Sequence, residues 1–212
     1  MIKPFLRPYL WLLAGSSILL QASCTTSSYI SKASDGDAWK QNRAELESLQ
    51  QWKIQGKISI RSGEDLYTAD LYWQQQQQAL NLRLVAPFSQ GVTQFTGTTE
   101  HGYQVLTEHG ETFDVDSPEV VTENAFGVSL PFDELKSWIK GLPARDQFVW
   151  KAKFNQQNRL EAFQQSGWQI KLLKYKKTGA HWLPSKLFLS RIKEDLTDDK
   201  VEVRLIVRRW II

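Results

Sequence analysis

Residues 52–61, WKIQGKISIR, alternate between two kinds of side chain. The even positions, from Trp52 to Ile60, are apolar or small, whereas the odd positions hold lysine, glutamine, serine and arginine. Successive side chains of a β-strand point to opposite faces. The segment therefore predicts a strand with one face on a core and the other in water.

The same two-residue period returns along the rest of the chain, interrupted by short polar turns. Residues 62–64 and the five glutamines at 74–78 are two of these turns. Parallel neighbours would need crossovers of about a dozen residues or more, which the early segments lack, so we expect an antiparallel sheet. Together with 52–61, the strand candidates are residues 66–73, 80–84, 92–97, 102–108, 111–115, 148–154, 160–165, 168–175, 183–190 and 201–210.

Three segments have a helical pattern instead. Asp37 suits the N-cap of a first helix that ends near Gln51. A second helix is predicted at about residues 118–126. A third is predicted over residues 131–140, with its proline in the first turn and Gly141 near the C-cap.

These elements predict a mainly β (α+β) fold, a curved antiparallel half-barrel of about ten or eleven strands capped by about three helices. An open half-barrel under a helical cover can enclose a hydrophobic cavity for long apolar ligands, which favours a protein that handles lipids. Each inward residue could equally be ordinary core. The candidate cavity residues are Trp52, Ile54, Ile58, Trp73, Leu82, Leu84, Trp138 and Ile139.

The N-terminus has the anatomy of a bacterial lipoprotein signal peptide. Lys3 and Arg7 precede an apolar run at 9–20 that is too short to span a bilayer, and small residues lead to Cys24, the only cysteine in the chain. We predict a signal peptide at residues 1–23, an acylated flexible tether at 24–36 and a lipid-binding domain at 37–212.

Two positions near Cys24 bear on processing and sorting. Gln21 stands where the usual signal has leucine, so the processing motif is imperfect. Thr25 stands where aspartate would favour retention in the inner membrane. We therefore expect lipid anchoring through acylated Cys24 to the outer membrane of a Gram-negative bacterium, facing the periplasm.

Composition and motifs argue against several other classes of protein. The formal charge falls from +3 to +1 when Lys3 and Arg7 are removed, so nucleic acid is not an expected partner. His101, His109 and His181 lack the spacing of a metal site, and no phosphate loop or nucleophile elbow is present. We expect no catalytic residue, no metal and no cofactor, and a protein that is not an enzyme. A serine, histidine and aspartate brought together by the fold remain an open alternative.

Short segments spread along the mature chain form an ordered set. Residues 52–57 (WKIQGK), 72–74 (YWQ), 82–88 (LRLVAPF) and 135–143 (LKSWIKGLP) follow Cys24, and residues 167–168, 183–189 and 210 complete the set. In this order they resemble the LolB family of outer-membrane lipoprotein receptors. The resemblance implies a half-barrel with a helical lid that accepts mature lipoproteins from the periplasmic carrier LolA and inserts them into the outer membrane.

The resemblance also implies the partners. They are a LolA-type periplasmic carrier, the acyl chains of cargo lipoproteins, and outer-membrane lipid through acylated Cys24, with a monomer as the expected state. A soluble carrier that resembles LolA is disfavoured because a tethered protein cannot shuttle. The alternative is a structural or partner-binding outer-membrane lipoprotein with a filled core and no lipid transfer.

Members of the family carry a protruding loop with an exposed apolar residue, typically leucine after proline, that promotes membrane insertion. The matching stretch here is residues 86–91, APFSQG, and Phe88 occupies the leucine position. The resemblance therefore implies a membrane-insertion loop at Pro87, Phe88 and Ser89. The alternative is that Phe88 packs under its own loop; an exposed apolar residue would need a functional reason.

Overall fold

The computed structural model describes residues 36–89, 91–192 and 200–212. The predicted signal peptide, Cys24 and the predicted tether up to residue 35 lie outside the described residues, as does Gln90 in the loop that contains Phe88. In the part that is described, no helix is long and apolar enough to cross a membrane.

Eleven strands of the described residues form one antiparallel sheet. They are β1 (Gln51–Ser62), β2 (Asp65–Gln76), β3 (Ala79–Val85), β4 (Val92–Thr98), β5 (Gly102–Leu106), β6 (Thr112–Val115), β7 (Trp150–Phe154), β8 (Leu160–Gln165), β9 (Trp168–Thr178), β10 (His181–Ile192) and β11 (Lys200–Ile211). Strands β1 to β6 pair in chain order, as do β7 to β11, and β1 pairs with β11 at the centre. Because the two end strands, β6 and β7, do not pair with each other, the half-barrel stays open, which confirms the predicted fold class.

The central strand β1 follows the predicted alternation. Its even positions from Trp52 to Ile60 are buried or half-buried. The register of β1 on β11 shifts between Gln55 and Gly56. A Cβ at Gly56 would collide with the backbone carbonyl of Ile206, so a side chain there would prevent the close approach of β11.

Three helices cover the concave face of the sheet: α1 (Asp37–Glu47), α2 (Pro118–Phe126) and α3 (Phe132–Trp138). α2 has the predicted bounds. α1 reaches β7 through Trp39, whose ring lies edge-on to that of Phe154 with centroids 5.1 Å apart. The cover is therefore a separate layer whose apolar side chains meet those of the strands.

The predicted bounds of the first helix are wrong at both ends. Gly36 is the N-cap residue, and Asp37 lies in the first turn. The helix ends at Glu47 rather than near Gln51, because Ser48 Oγ donates a 2.7 Å hydrogen bond to a backbone carbonyl of the last turn and Gln51 already belongs to β1.

The third helix is shorter than predicted. Pro131 is its N-cap residue, and the helix ends at Trp138 rather than Lys140. Gly141 N then donates a 2.9 Å hydrogen bond to Trp138 O, with Gly141 at φ +87°. This left-handed residue closes the helix and turns the chain back across the end of the half-barrel.

The core between sheet and helices is rich in tryptophan. The ring of Trp52 lies 5.1 Å from that of Trp73 and 5.5 Å from that of Trp210, and Trp73 contacts Phe132 of α3 at 5.9 Å. Tilted and edge-on aromatic pairs stabilise by about 0.5–1.5 kcal/mol beyond the burial of area. These contacts join β1, β2, β11 and α3 into one unit.

Candidate functional site

The concave face and the helices enclose an interior cavity of about 30 Å³. Four of the eight predicted cavity residues line it: Ile58, Trp73, Leu82 and Leu84. A single water needs roughly 10–15 Å³ by this measure, and drug-sized ligands occupy roughly 300–1,000 Å³. In this conformation the helices therefore leave an interior that is too small for an acyl chain.

The other four predicted cavity residues lie elsewhere in the core. Ile54, Trp138 and Ile139 are almost completely buried but are not part of the cavity wall. Trp52 lines a different, polar pocket at one end of the half-barrel. Contact of these four with a ligand remains a prediction that would require the helices to move.

Outside the interior cavity, an open groove of about 480 Å³ runs along the mouth of the half-barrel. Its floor comes from β1 and β2 and its sides from the start of β4 and the end of α2. Ile58, Ile60, Leu84 and Phe126 line both the groove and the interior cavity. The two spaces therefore share one apolar wall.

Ala86, Pro87 and Gly91 form one side of this groove. They belong to the loop that contains Phe88, whose described residues, 86–89 and 91, we call the Phe88 loop. Pro87 to Ser89 form a single 3-10 turn, and Ala86 N donates a 2.9 Å hydrogen bond to Gly91 O across the base of the loop. Phe88 has φ +58° and an exposed fraction of 94%. A left-handed conformation is a genuine outlier for a bulky residue, and such outliers are concentrated at functional sites.

A second phenylalanine is almost as exposed. Phe148 is the predicted first residue of β7, but this strand begins only at Trp150, and Phe148 has an exposed fraction of 86%. Its neighbour Gln147 lines the polar pocket, so Phe148 belongs to the end of the half-barrel that carries that pocket. Exposure of an aromatic ring alone thus does not distinguish the Phe88 loop from other loops.

The polar pocket has a volume of about 560 Å³. Glu47 of α1 accepts hydrogen bonds from Arg43 at 2.8 Å and from Arg145 at 2.6 Å. Burial alone would raise the pKa of the Glu47 carboxyl, but the two arginines hold that pKa below its usual value. Burial lowers the pKa of Lys140, whose Nζ donates a 3.3 Å hydrogen bond to Leu49 O, and Glu47 offsets part of that effect.

The side chain of Gln165 holds this end together, which the sequence analysis did not anticipate. Its Oε1 accepts 2.8 Å hydrogen bonds from Trp138 Nε1 and from Ala144 N. Its Nε2 donates to Ala144 O at 3.0 Å and to Gln147 O at 3.3 Å. The one available signal was that Gln165 shares the inward face of β8 with Phe163, where a buried amide needs partners.

The histidines are separate from one another. His101 Nδ1 lies 3.1 Å from Thr98 Oγ1, His109 Nε2 lies 3.4 Å from Glu108 Oε1, and His181 opens β10. Among the described residues, no group of three or more histidine, cysteine, aspartate or glutamate side chains could hold a metal ion.

Comparison with known proteins agrees with this geometry. The family described as "Outer membrane lipoprotein LolB" matches residues 50–210. A relative named "Outer-membrane lipoprotein LolB" from Pseudomonas putida F1 is 32% identical over 176 residues, covering 83% of this chain and 82% of its own. A relative of the same name from Pseudomonas aeruginosa PAO1 is 31% identical over 202 residues, covering 93% of this chain and 94% of its own.

Among solved structures, a DUF1329 family protein from Desulfovibrio piger has the same fold. It superposes with a TM-score of 0.51 at 5% identity, over 80% of this chain and 90% of its own. At that identity the similarity concerns the fold alone. The family match and the two relatives go further, because each spans most of the half-barrel, and they show that this chain belongs to the LolB family of outer membrane lipoproteins.

Proposed function

We propose that this protein is an outer-membrane-anchored receptor that accepts mature lipoproteins from a LolA-type periplasmic carrier and inserts them into the outer membrane. Membership of the LolB family supports this function. The single observation that carries it is Phe88, which is 94% exposed beside a groove that shares an apolar wall with the interior. A large apolar side chain held in water at the mouth of such a groove has a use where it meets a membrane.

Residues 1–23 would be removed and Cys24 acylated, leaving residues 24–36 as the tether of the domain that begins at Asp37. An extended chain spans roughly 3.3–3.6 Å per residue, so residues 25–36 would reach at most about 40 Å from the bilayer. Two or three acyl chains would make the attachment almost permanent. The domain could then turn its Phe88 loop toward the membrane without leaving it.

The hand-off needs no nucleotide, because apolar burial sets its direction. Each methylene moved from water into an apolar site stabilises by about 0.8 kcal/mol, so a small difference in burial between carrier, receptor and bilayer selects the destination. The receptor interior would open to take the acyl chains and close to about 30 Å³ when they leave. A closed resting state lowers the affinity of the receptor by the free energy of opening, which favours release to the bilayer.

Pro87, Phe88 and Ser89 would form the membrane-insertion loop. Pro87 fixes the start of the turn, and the left-handed backbone of Phe88 directs its ring away from the half-barrel. A phenylalanine supplies apolar area at the acyl boundary as leucine does in other family members. The loop would bring the groove to the lipid surface at the moment of release.

The small interior cavity favours the alternative function, a structural or partner-binding lipoprotein with a filled core. A cavity of about 30 Å³ is what a protein that never takes lipid would show. The two functions differ in one measurable property. A receptor takes an acylated peptide from a loaded carrier, whereas a structural lipoprotein leaves the peptide on that carrier.

The test is transfer of a labelled lipoprotein from LolA to liposomes that carry the full-length acylated protein. Wild type should accept and deliver the cargo. Phe88→Glu should accept cargo but deliver it at least tenfold more slowly, because a carboxylate in the acyl region costs on the order of 2.5–3.5 kcal/mol.

The matched control is Phe148→Glu, the same substitution at the other exposed phenylalanine, which should deliver as wild type does. Failure of wild type to accept cargo would refute the receptor function. Equal loss in both variants would show that exposed aromatic area in general matters, and would remove the specific role of Phe88.

A further inference from the structure

We propose that the groove beside the Phe88 loop is a second acyl-chain site, through which a saturated acyl chain passes to and from the interior, and that Phe126 is the gate between the two. This inference rests on the proposed function and assigns a path to it. The groove would hold the chain first, and the interior would open to it second.

The groove and the interior cavity are separated by a wall of four shared residues. Phe126 lines both the groove and the interior cavity, together with Ile58, Ile60 and Leu84 of the sheet. The three sheet residues belong to paired strands and keep their places by backbone hydrogen bonds. Phe126 is the shared residue that belongs to a helix of the cover, so it is the part of the wall that can move away.

Phe126 is also placed where a helix can swing. It is the last residue of α2 and is followed by Gly127, which adopts φ +64°. Its ring packs on that of Tyr67 of β2, with centroids 5.1 Å apart at an angle of 56°. An aromatic pair of this kind is worth on the order of one kilocalorie per mole, so it can hold the wall closed and yet be displaced by an incoming apolar chain.

The side-chain hydrogen bonds of α2 also indicate that this helix can move away from the sheet. Glu119 Oε1 accepts a 2.8 Å hydrogen bond from Phe132 N, and Thr122 Oγ1 accepts a 3.1 Å hydrogen bond from Leu130 N. These bonds join α2 to the first residue of α3 and to the segment just before it. Among the described residues, no side-chain hydrogen bond or ion pair joins α2 to a strand.

α3 is held differently. Trp138, at its end, donates a hydrogen bond to the side-chain amide of Gln165 of β8. The same amide also forms hydrogen bonds with the backbone of Ala144, in the segment after α3. Opening the cover at α3 would break its buried polar bonds to β8. A movement of α2 that keeps its bonds to Leu130 and Phe132 separates only apolar surfaces, which the acyl chain itself would cover again. Opening the cover at α2, beside the groove, should therefore cost less free energy than opening it at α3.

The size and edges of the groove suit the front part of an acyl chain. Its volume of about 480 Å³ is within the range of roughly 300–1,000 Å³ typical of ligand sites, unlike the interior. Pro87 lines it directly before the exposed Phe88, so its outer end lies at the proposed membrane contact. Glu108 on the rim packs against Gly91 and keeps a charge where the polar part of the cargo would remain in water.

The test uses the full-length acylated protein in liposomes and measures the rate at which it takes a labelled lipoprotein from LolA. Phe126→Ala should raise this rate by about threefold to tenfold, the factor expected from losing one aromatic pair. Phe113→Ala is the matched control, since Phe113 is 44% exposed on β6 and lines neither space, and its rate should equal that of wild type.

A second pair of variants tests the groove without touching the gate. Thr93 lines the groove, so Thr93→Trp should fill it and slow acceptance by about tenfold or more. Thr96, three residues along β4, lies outside both linings, and Thr96→Trp should leave the rate unchanged. Circular dichroism and unfolding curves identify any variant that fails to fold, and the other pair then decides.

The outcomes separate this inference from the function on which it rests. If wild type takes no cargo, the receptor function itself is wrong. If wild type takes cargo while Phe126→Ala and Thr93→Trp both match their controls, the receptor function stands and the path through the groove is overturned.

Discussion

The two ends of the half-barrel have openings of similar size and opposite chemistry. At one end, which we call the Phe88 end, the contact of Tyr67 with Phe126 forms part of the wall between the interior and an open groove of about 480 Å³. At the other, the Gln165 end, the pocket of about 560 Å³ is lined by amides and charges, and Gln165 joins a helix to a strand. The volume of an opening therefore does not identify the acyl-chain site. The kind of contact between helices and sheet at that end, polar or apolar, does.

The difference divides the protein into a frame and a moving part. Polar bonds inside a low-dielectric core are costly to leave unmade, so the Gln165 end should stay closed whenever the protein is folded. Apolar contacts at the Phe88 end can be exchanged for contacts with an acyl chain. Ligand-binding segments come from the less stable parts of a fold, and α2 meets that condition.

The largest effect should follow from breaking the frame. Gln165→Leu should lower the free energy of unfolding by about 3 kcal/mol, because Trp138 Nε1 and Ala144 N lose their acceptor in a buried site. Denaturant unfolding of the full-length protein measures this loss. Gln164→Leu, at the half-buried neighbouring position, should change it by less than about 0.5 kcal/mol.

That comparison has a clear opposite outcome. If Gln164→Leu and Gln165→Leu destabilise equally, the amide network contributes nothing particular, and the two ends do not differ in the way described above.

Hydrogen exchange should show the same difference in the unmodified protein. We expect the amides of α2 to exchange at least about tenfold faster than those at the end of α3, a difference of about 1.4 kcal/mol in opening free energy. Mass spectrometry of peptides covering residues 118–126 and 132–142 measures the two rates. Equal protection of both helices would place the moving part of the cover elsewhere.

A smaller effect should come from separating α2 from the start of α3. Glu119→Ala removes the acceptor of Phe132 N and should cost about 1 kcal/mol of unfolding free energy, as loss of a helix cap does. Exchange at α2 and at Phe132 N should become faster, while the end of α3 near Trp138 is unchanged. Glu123→Ala, an exposed change on the same helix, should leave both measurements as in wild type.

The smallest expected effect is a dependence on pH at the Gln165 end. Burial lowers the pKa of Lys140 from its ordinary value of 10.5, so the unfolded chain binds this proton more tightly than the folded one. Below the lowered pKa, the buried positive charge of Lys140 therefore destabilises the folded state. This cost disappears as pH rises from the lowered pKa toward 10.5. Across this window, unfolding free energy should rise more with pH in wild type than in Lys140→Met; parallel curves would contradict the burial argument.

The half-barrel could be predicted because apolar and polar residues alternate along its strands. The alternation from Trp52 to Ile60 identified β1 and its buried face, and α2 has the bounds that were expected. The pairing of β1 with β11 could not be derived in this way, since it joins segments at opposite ends of the domain and depends on how the whole sheet curves.

The candidate site was only partly within reach of the sequence. The two-residue period predicts that Trp73 and Leu82 face inward. Whether an inward residue lines a cavity or packs in the core depends on how closely the helices approach the sheet. Ile54 shares the same face and is core. The partners of Gln165 come from a distant segment of chain, so no local pattern could identify them.

The most direct test of the account locates the acyl chain itself. A lipoprotein with a photoreactive group in its acyl chain is transferred from LolA to the full-length protein in liposomes, irradiated, and the adducts are mapped by mass spectrometry. We expect adducts at the Phe88 end, on Tyr67, Thr93 and Phe126 at early times and on interior residues such as Leu82 later. Adducts confined to the polar pocket around Lys140, or none on a protein that still delivers cargo, would contradict it.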